Sequence, residues 1–371
     1  MKKHIVIGGG IVGASTAYHL AKAGERVMLV DRQDQGQATE AGAGIICPWL
    51  TNRSNKSWYK LVENGAAYYP ELIQELEKDG ETNTGYERVG AINIFDTDEK
   101  LDRKMEVALK RRETTPEMGE VTRLSAEETN RLFPVLSKEY GAVYVSGAAR
   151  VQGGAVRDAL VRAAEKNGAE LINGDASLVY EGNRVTGVKV GDDVYESDQV
   201  CVTGGAWAKE ILKPLGLHFE ARPQKAQIIH LDLPESNTKE WPVVLPPYNH
   251  YILAFDHGRI VVGATKEDEA GFNPDVTIGG VNELLDKVLR VAPGLADSQY
   301  VQTKVGFRPF TPGSRPVLGE VPGIQGLFVA NGLGASGLTS GPYFGAELAN
   351  IAMGTHTKID LKDFDPGMAI Q

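Results

Sequence analysis

The stretch HIVIGGGIVGASTAYHL, residues 4–20, decides the fold. Its first four residues are apolar and β-branched apart from His4, the composition of a short buried strand, His4–Ile7. Ile11–Ala23 then carries helical periodicity and stops at Gly24. Between them lies Gly8-x-Gly10-x-x-Gly13. A second strand, Arg26–Val30, follows and is closed by Asp31, so about 30 residues spell one βαβ unit, the opening of a doubly wound sheet. Each glycine has a separate task. Gly8 permits a tight turn, Gly10 leaves backbone bare where a pyrophosphate would approach, and Gly13 lets the helix pack on the strand. Ile11 and Val12 begin the helix, whose unpaired N–H groups and partial positive charge suit an anion. Asp31 is placed to accept hydrogen bonds from ribose hydroxyls, and Arg32 follows it. A glycine turn closing an ordinary βαβ unit leaves Gly10 unexplained, so a dinucleotide site is expected. This loop alone does not separate FAD from NAD.

Outward from this unit the chain of 371 residues is long enough for two domains at roughly 150 residues each. A net charge of −10 argues against nucleic acid and against an anionic membrane surface. No apolar run reaches the roughly 18 residues of a membrane span. The start, Met1-Lys2-Lys3 and an apolar stretch, is broken by glycines and reads as strand–turn–helix rather than a secretory signal. Cys47 and Cys201 are the only cysteines, with no C-x-x-C and no zinc-type Cys/His spacing, so no metal site is expected. A reducing, cytoplasmic setting fits that usage. Glycine is in excess, 43 residues against a usual share of about 7%. Eight lie in residues 1–44 and ten in residues 304–346.

Further along, Trp58–Lys78 and Glu99–Arg112 read as helices, with the strand Arg88–Phe95 between them. Ala155–Lys166 is amphipathic. Leu171–Ile172, Leu178–Tyr180, Val185–Val190 and Gln199–Thr203 are separated by turn residues and read as a β-meander. Gln227–Leu233, His250–Phe255 and Arg259–Ala264 read as antiparallel strands, and Val281–Val291 as a helix. The end repeats the opening pattern: strand Leu327–Ala330, glycine-rich loop Asn331–Gly341, helix Pro342–Met353. Residues after Thr355 read as a surface tail. The expected fold is α/β, a Rossmann-like nucleotide-binding domain with an antiparallel-sheet α+β substrate domain. The first is assembled from residues 1–85, 145–220 and 300–371, the second from 86–144 and 221–299.

Several blocks add a resemblance. Residues 32–44 running into IICPW (45–49), VCVTGGAW (200–207), GFRP (306–309) with RPVLG (315–319), and NGLGASGLTSGP (331–342) stand in the order of the FAD-dependent glycine/D-amino-acid oxidase-type oxidoreductases. That family includes glycine oxidase, D-amino-acid dehydrogenase and sarcosine oxidase. The resemblance, from His4 to about Gly354, implies non-covalent FAD. Ala38, Thr39, Gly44, Ile45 and Gly205 would then line the cofactor, and a backbone contact near Ala176 would hold adenine. Gly332, Gly334, Ser336, Gly337, Leu338 and Thr339 would lie under the flavin. Independently, a helix beginning near Ser336–Gly341 offers N–H groups to the negative charge of a reduced flavin. By this reading Gly341 is also among the glycines that admit the flavin.

A substrate carboxylate is best met by a bidentate arginine. Arg308, between Phe307 and Pro309, matches the family's carboxylate arginine. Tyr251, on the strand Asn249–Phe255, matches its substrate-facing tyrosine; His250 should point to the other face. The resemblance implies oxidation of the C–N bond of a small amino acid or secondary amine, with hydride passing to flavin N5. The imine formed then hydrolyses to an oxo acid. The acceptor is O2, giving hydrogen peroxide, or alternatively a quinone or carrier. Two departures bear on this. Val261 stands where sarcosine oxidases carry an oxygen-activating lysine, and Ala335 and Ser336 replace a second arginine of glycine oxidase. Cys47 reads as a small buried hydrophobe rather than a flavin attachment point. An oligomer is compatible with the sequence.

Overall fold

The glycine turn and its flanking elements form as the pattern requires. In the computed structural model, which describes residues 1–53, 55–234, 236–247 and 250–371, β1 (Lys3–Ile7) leads into α1 (Ile11–Lys22) and then β2 (Arg26–Asp31). Gly8 has φ +104°, a left-handed value that disfavours a side chain. A Cβ on Gly13 would lie 1.8 Å from the Gly8 carbonyl oxygen, so strand and helix meet there only because Gly13 lacks one.

β1 and β2 pair in parallel within a six-stranded sheet. Its order is Val317–Glu320, Leu327–Asn331, Gln199–Val202, β1, β2, Glu170–Asn173. All pairings are parallel except that of Val317–Glu320 with its neighbour. Two strands read as parts of a meander thus belong to this sheet. Glu170–Asn173 extends β2, and Gln199–Val202 lies along β1. Only Ala176–Glu181, Arg184–Val190 and Asp193–Glu196 form the antiparallel three-stranded unit. For Gln199–Val202 the reason is burial, whereas Glu170–Asn173 is a largely exposed edge strand. Val200, Cys201 and Val202 are wholly buried, which suits a strand covered on both faces.

The second large sheet has eight strands and is mixed rather than purely antiparallel, because Val243–Leu245 runs parallel to Ala91–Phe95. The strand Gln299–Phe310 pairs along Arg222–Asp232 in this sheet, although the expected third piece of the nucleotide domain begins at residue 300. Tyr251–Ala254 and Arg259–Gly263 form a hairpin within it. Asn249 lies outside the described residues. The helix Ile278–Val291 packs against this sheet through Leu284, Val288 and Val291.

The last helix begins at Gly337, five residues earlier than Pro342. Pro342 lies inside this helix, where it has no N–H to give the Leu338 carbonyl; the Tyr69 hydroxyl donates to that carbonyl instead. This helix lies on α1. The Ser15 hydroxyl donates to the Pro342 carbonyl at 2.6 Å, and a Cβ on Gly345 would lie 2.4 Å from the Val12 carbonyl oxygen. Residues beyond Thr355 are not a loose tail. Phe364 and Ala369 are buried, and Ile370 bridges to Phe219. Among the described residues no helix is long and apolar enough to cross a membrane.

Candidate active site

The six-stranded sheet, the edge of the eight-stranded sheet and the last loop enclose a cavity of about 460 Å³. It is lined by Gly8, Gly10, Ile11 and Val12 of the first turn, and by Asp31 and Arg32 after β2. Ala38, Thr39, Gly44 and Ile45 line it from the following loop, with Ala176 and Gly205. Gly332, Gly334, Ser336, Gly337, Leu338 and Thr339 contribute from the last loop, and Tyr251 and Arg308 from the eight-stranded sheet. Gly13 is absent from the wall, being spent on helix–strand packing. Gly341 is absent too. A Cβ there would meet Ile11 Cγ2 at 2.7 Å, so this glycine serves the contact between the last helix and α1 rather than the cavity.

The wall has the features a dinucleotide needs. Around Gly10 the cavity is open, since an added Cβ would meet only Thr39 Oγ1, at 3.4 Å. At Gly205 and Gly337 an added Cβ would meet nothing within 4 Å. The first amide turned back into α1 is that of Ala14, which donates to the Gly10 carbonyl. Ile11 N–H donates to Thr39 Oγ1 at 2.9 Å, leaving the Val12 and Gly13 amides without a helical acceptor. Asp31 is held by the Gly9 amide, by the Gln33 amide at 2.6 Å and by Gln37 Nε2 at 2.9 Å. Those bonds use three of its roughly four acceptor positions. Arg32 is clamped among Asp34, Asp175 and Glu210, at 2.6, 3.2 and 3.2 Å. In the last loop the Ser336 hydroxyl donates to the Leu333 carbonyl, and the Thr339 hydroxyl to the Ile45 carbonyl.

Charge is divided along this cavity. Asp31, Asp34 and Asp175 lie with Arg32 at the β2 end, whereas Arg308 and Arg53 are the charged residues of the remaining wall. Arg308 sits on the strand Gln299–Phe310 opposite Gln224, whose Oε1 accepts from its Nη1 at 3.3 Å. Gln224 Nε2 in turn donates to Asp268 at 3.0 Å. Among the described residues no carboxylate lies within 4 Å of the Arg308 guanidinium. Tyr251 stands beside Arg308. Burial pushes its phenol above the usual value, against the pull of the arginine, so it remains a proton donor at neutral pH. Gly263 makes room for the ring, since a Cβ there would come within 2.7 Å of Tyr251 Oη.

Val261 is buried and absent from the cavity wall; the apolar side chain that meets Tyr251 across Gly263 is Ile228 of the strand Arg222–Asp232. Cys47 does line the cavity, and desolvation holds its thiol up to about 12, which keeps it protonated and poorly nucleophilic. Sequence reasoning missed Arg53, Trp58 and Gln224. Arg53 stands in TNRSNKS, residues 51–57, which reads as a solvated loop, and Gln224 has no signal apart from its register with Arg308.

The profile of the FAD dependent oxidoreductase (DAO) family matches residues 3–351. The chain belongs to this family. It is 57% identical over its full length, and that of the relative, to the uncharacterized oxidoreductase YurR of Bacillus subtilis. It is 32% identical to a glycine oxidase of Pseudomonas aeruginosa, with 98% of each chain covered. Among solved structures, iminodiacetate oxidase from Chelativorans sp. BNC1 superposes with a TM-score of 0.95 at 46% identity, covering 98% of this chain and 99% of that one. The protein is an α/β oxidoreductase of the class that oxidises amino-acid-like substrates with FAD, with a Rossmann-like cofactor region and a mixed-sheet substrate region. The open glycine positions and the free helix-terminal amides fit that cofactor.

Proposed function

We propose that this protein oxidises the C–N bond of a small carboxylated amine, a glycine, sarcosine or D-amino-acid type of substrate, to an imine that hydrolyses to an oxo acid. The observation that carries this reading is Arg308, a guanidinium on the cavity wall with Gln224 and Tyr251 as neighbours and no acidic partner among the described residues. A substrate carboxylate would complete it with two charge-assisted hydrogen bonds. Tyr251 Oη would donate a third. The apolar wall of Ile228, Val62 and Leu338 excludes water and favours the uncharged amine, the form with a lone pair to drive loss of the α-hydrogen. The first turn and the last loop would hold FAD, which when bound would supply two-electron acceptance, with O2 as the final acceptor. Glycine oxidase and iminodiacetate oxidase are names of relatives that denote substrates of this kind.

The test is anaerobic. Glycine, sarcosine, proline isomers, iminodiacetate and a D-amino-acid panel are added to the holoprotein, and bleaching of the flavin absorbance is followed. At least one carboxylated amine should bleach it. Arg308→Leu should weaken that substrate's apparent affinity by about a hundredfold or more, the cost of stranding a carboxylate without its charged partner. Unchanged affinity would refute the anchoring role. Peroxide yield on re-aeration, compared with turnover on an artificial acceptor, distinguishes O2 from a quinone or carrier.

A further inference from the structure

The cavity holds a second guanidinium with no acidic partner. Arg53 lines it, and among the described residues no carboxylate lies within 4 Å of its side chain. Its guanidinium is stacked 4.0 Å from the centroid of the Trp58 ring. Trp58 in turn donates from Nε1 to Ser336 Oγ at 3.3 Å, so the stack is tied to the last loop. Arg53 therefore stands against the wall formed by Trp58 and Ser336, whereas Arg308 and Gln224 belong to the eight-stranded sheet.

The loop bearing Arg53 is braced from beneath. Lys104, which is buried, donates to the Leu50 carbonyl at 3.2 Å and to Asn52 Oδ1 at 2.7 Å. Arg111 Nη1 donates to the Trp49 carbonyl and, at 2.7 Å, to the Thr51 carbonyl. Both cations spend these bonds on neutral acceptors, which leaves Arg53 as the cation of this loop on the cavity wall. Partial burial also makes the charge on Arg53 costly to leave unpaired. Stacking fixes a guanidinium's plane while leaving its N–H edge free for a carboxylate.

Resting on the carboxylated-amine reading above, we propose that Arg53 is a specificity-determining residue that binds a second substrate carboxylate, one carried on the other arm of the amine. The favoured substrate class is then a secondary amine with two carboxyalkyl arms. Arg308 holds the carboxylate of one arm, and Arg53 that of the other. Glycine and sarcosine lack the group that Arg53 binds.

Non-oxidisable ethers test this on the holoprotein. Diglycolate presents two carboxylates about an ether oxygen, and methoxyacetate presents one. Binding is read by calorimetry and by perturbation of the flavin spectrum. The wild type should bind diglycolate at least about tenfold more tightly than methoxyacetate. Arg53→Met should bring the two affinities within about threefold by weakening diglycolate alone, and Arg53→Lys should restore part of the preference. Arg308→Leu should weaken both. The assignment is overturned if the wild type shows no dicarboxylate preference, if Arg53→Met weakens both ligands equally, or if it weakens neither. Binding of methoxyacetate without that preference removes Arg53 alone. Failure of both ethers to bind, together with no bleaching by any amine of the panel, removes the parent reading as well.

Discussion

Replacing Gly10 by alanine separates cofactor binding from folding. The Gly10 backbone has φ −66° and ψ −177°, which alanine adopts without strain. The new methyl group would meet only Thr39 Oγ1, at 3.4 Å, a contact that a small hydroxyl shift relieves. Without cofactor, Gly10→Ala should therefore be neutral or stabilising by about 0.4–1 kcal/mol, through lower entropy of the unfolded chain. With cofactor the sign reverses. The methyl group occupies the space beside the Val12 and Gly13 amides that the pyrophosphate needs, and overpacking a filled site costs about 1–3 kcal/mol. FAD affinity should fall about 5- to 150-fold. Gly13→Ala provides the contrast. Its methyl group would sit 1.8 Å from the Gly8 carbonyl and 2.5 Å from Thr203 Oγ1, so the apoprotein itself should lose several kcal/mol. The assays are thermal unfolding of the apoprotein and titration with FAD followed by quenching of flavin fluorescence. Gly10→Ala that binds FAD like the wild type would refute the placement of the pyrophosphate.

Two further outcomes follow from the geometry. Gln224→Leu removes the hydrogen bond that Arg308 Nη1 donates to Gln224 Oε1 and leaves Asp268 to Arg222; substrate KM should rise about 3- to 20-fold with kcat nearly unchanged, and a rise confined to kcat would contradict a positioning role. His19 gives an acid dependence: its Nδ1 donates to the Ser15 carbonyl at 2.7 Å, its Nε2 accepts from Tyr68, and burial lowers its pKa from 6.5 to about 4. The unfolded chain therefore takes up a proton near pH 6.5 while the folded chain resists until about pH 4. Stability should be lost as pH falls through that window, by at most about 3 kcal/mol from this group, and His19→Gln should flatten the slope in urea unfolding measured at pH 7 and pH 4.5.

What was legible in the sequence was local. The turn at Gly8, the packing at Gly13 and the order of strand, loop and helix at both ends rest on residues adjacent in the chain. What was not legible depended on partners far away. Glu170–Asn173 and Gln199–Val202 look like members of a meander because turn residues flank them, yet each pairs with a strand more than 130 residues distant. Gly341 looks like another cofactor glycine because it stands in the same loop, and only the approach of Ile11 shows its use. Arg53 belongs to a polar run that resembles solvated surface. Its place on the cavity wall follows from Lys104, Arg111 and Trp58, none of which announces that purpose in the sequence.

The pairing of the first turn with the last loop has a consequence for biosynthesis. The residues of the first turn and its following loop, up to Ile45, leave the ribosome long before those that face them, Gly332–Thr339. Strand Gln199–Val202 lies between β1 and Leu327–Asn331, so the latter joins the six-stranded sheet only once Gln199–Val202 is paired with β1. Domains fold as units as the chain emerges, but this cavity has no N-terminal unit able to enclose a ligand alone. Enclosure of a cofactor therefore waits for Gly332–Thr339, and a chain cut short before Leu327 would present the glycine turn to solvent with that wall missing.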